Sequence, residues 1–144
     1  MGRNIGAAVL GYVAMFAAVF GGMTVAWTIV GADGAFQPGS WDHSMLWAVV
    51  SVVVGLVAAV LGGIVCARVG TDRTAVYVLV GLVAVLGVLS AIPEMGDTAA
   101  GPRPDGLSMW DAIAGAVQPT WARWANPVIG IVGVLVGASR SSKA

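Results

Sequence analysis

The side chains of this sequence that could carry chemistry are few, and a single histidine comes first among them. His43 is the only histidine, and it lies in the segment Trp41-Asp42-His43-Ser44. One neutral imidazole nitrogen is enough to coordinate the iron of a haem or the magnesium of a chlorophyll, so His43 is a candidate cofactor-binding residue. The alternative interpretation is a solvated histidine beside a helix cap formed by Asp42 or Ser44.

The cysteine and the carboxylate residues give weaker evidence for a chemical site. Cys66 is the only cysteine, which excludes an internal disulfide and a multi-cysteine metal site, and we expect a small buried hydrophobe. Asp97, Asp105 and Asp111 could gather a divalent cation, but their spacing lacks the regularity of a calcium loop. His43 and Cys66 flank an apolar segment about one bilayer long, so they cannot form a nucleophile–base pair. We therefore predict no metal site and no enzymatic activity.

The composition is that of a membrane protein. Hydrophobic residues make up 58% of the 144 residues and charged residues 10%, whereas soluble domains carry about 25% charged residues. Four stretches reach the roughly 20 apolar residues that cross a bilayer, and they form one predicted four-span domain. The predicted spans cover residues 5–30, 45–67, 74–92 and 121–138. The net charge is zero, so no nucleic-acid partner is expected.

Charge in the connecting segments predicts the orientation, because Lys and Arg in short loops mark the cytoplasmic side. The basic residues before span one, between spans two and three, and after span four are Arg3, Arg68, Arg73, Arg140 and Lys143. The other two connections carry mainly acidic residues, namely Asp33, Asp42, Glu94, Asp97, Asp105 and Asp111. Both termini are therefore predicted to be cytoplasmic. A signal peptide is the alternative for the N-terminus, but the first apolar run is longer than its usual 7 to 15 or so residues.

All six tryptophans fall on the side that this orientation makes the outer one. Indole rings collect at headgroup depth, so we predict six interface anchors: Trp27, Trp41, Trp47, Trp110, Trp121 and Trp124. On the same side, Ser108 and Asp111 have the spacing of a capping box. Apolar residues then recur at helical spacing, which predicts a short amphipathic interfacial helix over residues 108–118. Such a helix would be a lid on the bundle or a surface for a partner.

Small residues at four-residue spacing allow membrane helices to pack closely. Gly55, Ala59 and Gly63 have this spacing in span two, and Gly133 and Gly137 repeat it in span four. We predict these five as helix-packing positions, either inside one bundle or between copies of the chain.

The turn from Arg68 to Arg73 is short, which makes spans two and three antiparallel neighbours. Gly70 suits the C′ position of span two, and Thr71 or Thr74 could cap span three. The predicted fold class is therefore an all-α membrane protein, an antiparallel bundle of four transmembrane helices with a short interfacial helix.

Much of the chain resembles small four-helix integral membrane proteins of bacteria. The segments that carry the resemblance are residues 5–12, 59–68, 85–90 and 119–137. The resemblance implies a location in the bacterial cytoplasmic (inner) membrane. The resemblance implies no activity and no site residues.

The expected function follows by exclusion. No ionisable residue lies near the middle of a span, where coupled transporters and most channels place acids, bases or polar clusters. We expect a structural or accessory subunit that packs in the lipid bilayer with itself or with other membrane protein subunits. One alternative is a small transporter or permeation pathway for an uncharged or apolar solute. The other is a haem- or chlorophyll-binding subunit that uses His43.

Overall fold

The regular secondary structure of the described residues is helical, with short irregular connections between the helices. The computed structural model describes residues 1–92 and 101–141. Its helices are α1 (Gly2–Ala35), α2 (Met45–Val69), α3 (Arg73–Ala91), α4 (Met109–Gly115) and α5 (Thr120–Ser141). All but α4 are long and apolar enough to cross a membrane, as predicted for a multi-pass membrane protein. The predictions made for Glu94, Asp97 and Lys143 lie outside the described residues.

Helix α1 extends beyond the predicted span because it continues across a kink. Gly31 has φ 66° and ψ −178°, a backbone conformation that glycine adopts without steric cost. The kink turns the last residues of α1 inward, and Ala35 and Phe36 are buried. Ser44 then joins α1 to α2: its amide donates to the Ala35 carbonyl at 2.9 Å and its hydroxyl donates to the Gly34 carbonyl at 2.5 Å.

The helix caps only partly match the predictions. Ser44 caps α2 by accepting a hydrogen bond from the Trp47 amide at 3.1 Å. Neither Thr71 nor Thr74 caps α3, so that prediction was wrong: the Asp72 carboxylate accepts from the Thr74 amide at 2.7 Å. A carboxylate is favoured there because it also meets the positive end of the helix dipole.

Gly70 ends α2, but not in the left-handed conformation that the C′ prediction implied. Its φ is −64° and its ψ is 157°, which any residue can adopt. A Cβ at this position would lie 2.7 Å from the Ala75 Cβ and 3.0 Å from the Cys66 carbonyl oxygen. Glycine is required here because of the close approach of α3, not because of backbone conformation.

Helix α2 makes close contact with α1 through a pair of glycines. A Cβ on Gly11 would lie 2.8 Å from the Gly62 carbonyl oxygen, and a Cβ on Gly62 would lie 2.8 Å from the Gly11 carbonyl oxygen. Farther along the same pair of helices, Gly22 of α1 faces Val54 of α2. The missing side chains let the two backbones touch, which maximises dispersion contact in the absence of a hydrophobic force between helices in lipid.

The opposite face of α2 packs against α5. Gly63 lies against the backbone of Val134, Gly133 lies against Ala59, and Gly137 lies against the Val60 carbonyl. These contacts include four of the five predicted packing positions. The fifth is Gly55, where an added Cβ would meet no other helix of the described chain within 4 Å.

Two separate clusters of buried residues hold the helices together. The alanine-rich core, at the end of the molecule that contains Asn4, comprises Ala7, Ala8, Ala59, Cys66, Ala75, Val76, Leu79, Val83, Val134 and Ala138. The aromatic cluster, at the opposite end, comprises Ala35, Phe36, Trp47 and Ala112 with Trp27 and others packed on it. We call these two ends the Asn4 end and the tryptophan end.

The Asn4 end is tied together by one buried amide. Asn4 donates to both carboxylate oxygens of Asp72 at 3.1 Å, and its own oxygen accepts from the Thr71 amide at 3.0 Å and hydroxyl at 2.7 Å. Next to it, Arg3 donates to the Val69 carbonyl at 3.2 Å. These bonds join the start of α1 to the turn between α2 and α3.

We predict that acid weakens the fold through Asp72. Hydrogen bonds from Thr74, and next from Asn4, lower the pKa of Asp72 to about 2. The folded state thus favours the carboxylate, so its stabilising contribution is complete above the unfolded pKa of about 3.9 and is lost as the pH falls from there to about 2. The test compares the unfolding midpoints of the unsubstituted protein and of Asp72→Asn, both in detergent. The two midpoints should differ at about pH 6 and converge near pH 2. A difference that does not change with pH would contradict this prediction.

We predict different outcomes for a glycine on α2 and a glycine on α3. Gly63→Leu should destabilise the protein by about 1–3 kcal/mol or more, because the new side chain collides with the α5 backbone. Gly81→Leu on α3 is the matched control, since it adds the same side chain where the described chain leaves open space. The measurement is the denaturant midpoint in mild detergent, and equal losses for both variants would contradict the α2–α5 contact.

Candidate ligand-binding site

A cavity of about 630 Å³ lies at the tryptophan end. Side chains from all five helices and from the connection before α2 line it. Most are apolar or aromatic, and the polar ones are Thr24, His43, Ser51, Ser90, Gln118, Arg123 and Asn126. A volume of this size with an apolar lining and a few polar groups is typical of small-molecule sites.

The aromatic cluster borders the cavity at the tryptophan end. Trp27 packs edge-to-face on Trp47 at 5.9 Å between ring centroids and on Phe36 at 6.4 Å. Trp41 packs on the other side of Phe36 at 6.1 Å and lies against Gly115 of α4. Edge-to-face pairs of this kind are favourable beyond their buried area, so the rings form a preformed wall.

The six tryptophans therefore divide into two sets of three. Trp110, Trp121 and Trp124 are 66%, 49% and 48% exposed, as suits an anchor in an interface. The remaining three, Trp27, Trp41 and Trp47, belong to the internal aromatic contacts. All six share the same end, but Trp47 is buried and Trp27 and Trp41 are only partly exposed.

Helix α4 closes part of the cavity wall. Ser108 caps it by accepting from the Asp111 amide at 3.2 Å and donates back to the Asp111 carboxylate at 2.6 Å. The helix ends at Gly115, earlier than the predicted residue 118. It ends there because Val117 turns to bond with the first connection: its amide donates to the Trp41 carbonyl at 2.9 Å and its carbonyl accepts from the His43 amide at 3.1 Å.

The cavity is partly open, and its exposed lining side chains come from α1, from α3 and its end, and from Ile113 of α4. Phe16 and Phe20 of α1 and Leu89 of α3 line the cavity and are also exposed. Toward the Asn4 end the gap is closed, because Gly11 of α1 meets Leu79 of α3 in the alanine-rich core. The cavity is thus blind at the Asn4 end and open laterally at the tryptophan end.

The hydroxyl groups in the lining are already satisfied as donors. Thr24 donates to the Phe20 carbonyl at 2.7 Å, Ser51 to the Trp47 carbonyl at 2.8 Å, and Ser90 to the Gly87 carbonyl at 2.9 Å. Such bonds to the residue's own helix are the usual solution for hydroxyls in membrane spans. They leave oxygen lone pairs that a ligand donor can use.

His43 borders the cavity as a neutral side chain. Its residue is only 8% exposed, and its ring lies 5.7 Å from the Phe36 ring. Burial lowers the pKa of His43, and the neighbouring Asp42 carboxylate partly opposes this shift. Burial thus favours the neutral imidazole, which offers one acceptor and one donor nitrogen. The predicted cofactor-binding residue lies in the lining of the cavity.

Arg103 is a structural residue that the spacing of the sequence does not reveal. Its side chain is only 7% exposed, pairs with Asp33 at 3.0 Å, and lies 5.7 Å from the Phe36 ring centroid. Its amide also donates to the Gly39 carbonyl at 3.3 Å. The contacts tie the segment before α4 to the aromatic cluster; the sequence shows only an arginine in a Gly/Pro stretch, with no pattern that indicates burial.

No metal site is evident in residues 1–92 and 101–141, where no group of three or more His, Cys, Asp or Glu side chains gathers. Comparison with protein-family models, curated proteins and solved structures returns no match. The resemblance to small bacterial membrane proteins stays a prediction, and the function has to be inferred from the cavity.

We predict that His43 titrates below its usual range. As the only histidine, it gives one assignable set of imidazole NMR signals. Their midpoint should lie below about 6.5, because burial disfavours the imidazolium. Asp42→Asn should lower the midpoint further, because the carboxylate raises the pKa of His43. A midpoint at or above the usual value would contradict the buried position.

Proposed function

We propose that this protein is an accessory integral membrane subunit of the bacterial cytoplasmic membrane that binds an apolar or amphipathic membrane-soluble molecule. The observation that carries the proposal is the laterally open, aromatic-lined cavity of about 630 Å³. A molecule dissolved in the bilayer can enter it between α1 and α3 without passing through water.

Binding is better supported than a continuous permeation pathway. Below the cavity, Ala8, Ala59, Leu79 and Val134 are 0–1% exposed, and backbone contacts close the helices on one another. A solute crossing the membrane would have to separate these helices. The transporter alternative therefore requires a second conformation, whereas binding requires only the one described.

The distribution of charge supports the proposed orientation. Among the described residues, Arg3, Arg68, Arg73 and Arg140 belong to the Asn4 end together with one acid, Asp72. The tryptophan end and the connections around it hold four acids, namely Asp33, Asp42, Asp105 and Asp111, and two arginines, Arg103 and Arg123. By the positive-inside rule, we propose an antiparallel four-helix bundle with both termini cytoplasmic. The exposed Trp110 and Ile113 of α4 support its role as an interfacial helix on the outer side.

We expect reporters fused to the two termini to confirm this orientation. A fluorescent protein that folds only in the cytoplasm should be bright at either end, and alkaline phosphatase, active only outside, should be inactive there. An insertion of alkaline phosphatase between the exposed residues Asp105 and Gly106 should be active. The reverse pattern would contradict the proposed topology.

Packing with a second copy or with another subunit is part of the same proposal. Gly55 supports it, because the described chain leaves the space beside this glycine open. Native mass measurement of the unmodified protein and of Gly55→Leu tests this contact. A single-chain mass for both, with no co-purifying protein, would remove self-association and accessory packing from the proposal.

We expect Ser51→Phe to weaken ligand binding strongly. Ser51 lines the cavity, and a phenyl ring there occupies part of the space that a ligand would take, while the serine hydroxyl that is lost bonds only to its own helix. Val53→Phe is the matched control, because Val53 is 55% exposed and outside the cavity lining. Native mass spectrometry after delipidation should show a retained small molecule in the unmodified protein and in Val53→Phe, and most of it lost in Ser51→Phe. Equal retention by both variants would place the bound molecule elsewhere.

A tetrapyrrole ligand is the second candidate, favoured by the neutral imidazole of His43 at the cavity wall. It would give the purified protein a visible absorption band that His43→Ala removes. A colourless protein with a retained lipid-like mass would exclude this candidate and leave the proposed function standing.

A further inference from the structure

We infer, on the basis of the proposed ligand-binding function, that the bound molecule is an uncharged amphiphile whose hydroxyl group exchanges a hydrogen bond with the imidazole of His43. Its hydrocarbon part lies along the exposed apolar side chains that α1 and α3 contribute to the cavity lining. The observation that carries this inference is a buried imidazole that has no hydrogen-bond partner in the described chain.

His43 is a buried polar residue whose side chain the fold leaves unsatisfied. The residue is 8% exposed and lines the cavity, and its ring nitrogens make no hydrogen bond within residues 1–92 and 101–141. Neither nitrogen is sealed inside the protein, because the only fully enclosed side-chain polar atom without a partner in these residues is the Arg103 Nε. Buried polar groups in folded proteins nearly always have a partner. A ligand in the cavity can supply the missing one.

The other polar groups of the lining are not in this state. Three hydroxyls each donate to their own helix, namely those of Thr24, Ser51 and Ser90. Arg123 already has an interaction partner in the protein, and Gln118 and Asn126 are exposed residues. His43 is therefore the lining residue whose burial requires a polar group on the ligand.

The backbone around His43 holds the imidazole in place before a ligand arrives. The His43 amide donates to the Val117 carbonyl at 3.1 Å, and the amide of the next residue, Ser44, donates to the Ala35 carbonyl at 2.9 Å. The imidazole also packs on the Phe36 ring, with 5.7 Å between the ring centroids. A ligand that bonds to a side chain fixed in this way loses little affinity to the ordering of the site.

A hydroxyl matches this imidazole better than a charged group does. Burial lowers the pKa of His43, so the ring is neutral and offers one donor and one acceptor nitrogen. A hydroxyl can both donate and accept, so it satisfies either nitrogen, whereas a carbonyl oxygen satisfies only the N–H. A carboxylate would be repelled by the neighbouring Asp42, whose charge already acts on His43. Burial of a charge of either sign beside a neutral ring also costs more than burial of a hydroxyl.

The apolar part of the lining suits a hydrocarbon chain. The Phe16 and Phe20 rings of α1 stack with 6.5 Å between centroids and 12° between planes. These two rings and Leu89 of α3 line the cavity and are also exposed. His43 directly precedes Ser44, the cap of α2, so a hydroxyl bonded to it stays at the end of a spanning helix, near the depth of lipid headgroups. An amphiphile from the bilayer can thus bind without leaving its normal depth.

Bromine quenching of the internal tryptophans measures the preference for a hydroxyl. The variant with Trp110→Phe, Trp121→Phe and Trp124→Phe removes the exposed indoles and leaves Trp27 and Trp47, which line the cavity. The probes are dibrominated stearyl alcohol, the matching alkane, and the matching acid and amine. They are titrated at about pH 8, where His43 is neutral, in an amine-oxide detergent that has no hydroxyl of its own. The alcohol should bind about tenfold more tightly than the alkane, because it satisfies a buried polar group.

The imidazole nitrogens of His43 report the hydrogen bond directly. Because His43 is the only histidine, isotope-labelled protein gives one pair of imidazole nitrogen NMR signals. Saturating alcohol should shift at least one of these signals, and the alkane should not produce a comparable shift.

Substitutions then assign the preference to His43. His43→Phe keeps an aromatic ring and removes both nitrogens, so it should abolish the preference for the alcohol and leave binding of the alkane unchanged. Thr28→Val is the control, since it removes an exposed hydroxyl of α1 that bonds to its own helix and lies outside the lining; it should leave the preference unchanged. The NMR comparison with His43 intact keeps the test decisive if His43→Phe does not fold.

The outcomes separate the inference from the proposed function. Equal binding of alcohol and alkane, tighter binding of the acid or the amine, or unshifted nitrogen signals overturns the inference but not ligand binding. A visible absorption band that His43→Ala removes also overturns it, because a metal would then hold the imidazole. Absence of quenching by every probe overturns the proposed function itself. Dibrominated diacylglycerol, which carries one free hydroxyl, distinguishes a glycerolipid from a free long-chain alcohol; tighter binding of either one supports the inference.

Discussion

Close backbone contact on two faces of α2 is the constraint on which this structure depends. In lipid the surroundings are as apolar as the side chains, so helices associate only where they fit closely. Gly62 provides that fit toward α1, and the neighbouring Gly63 provides it toward α5. Because these adjacent residues point to different sides, α2 holds two helices at once, and the small side chains of the Asn4 end follow from this geometry.

The cavity results from how the same helices pack at the tryptophan end. Where small residues meet, no space remains; where Trp27, Trp47 and Phe36 meet, large rings keep the helices apart. Helix α4 and the first connection cover the gap only partly, so the space stays open between α1 and α3. The molecule thus combines a closed half that fixes the fold with an open half in which we propose that a ligand binds.

Polar groups serve the two halves differently. At the Asn4 end, one amide satisfies Asp72 and Thr71 and fixes the start of α1 against the next turn. Buried polar groups need such partners, and here they serve to hold the helices together. At the tryptophan end, hydroxyls bond to their own helices while His43 and Arg123 border the cavity. The polar groups at this end thus surround the space in which we propose that a ligand binds.

The sequence by itself determined the four apolar helices, the Ser108 cap and the common end of the tryptophans, because span length, capping and position along the chain are local properties. It left Asp42 and Ser44 as alternatives for the cap of α2, and the structure selects Ser44. Only the tertiary structure decided which tryptophans are internal and that Asp72 caps α3. It also decided that Gly63 packs against another helix of the described chain while Gly55 does not, although both belong to one regular stripe. The physical reason is that spacing defines a helix face, whereas contact depends on which neighbouring helix reaches that face and at what height. The cavity likewise depends on tertiary packing, since it is the space that the five helices and the connections between them leave open.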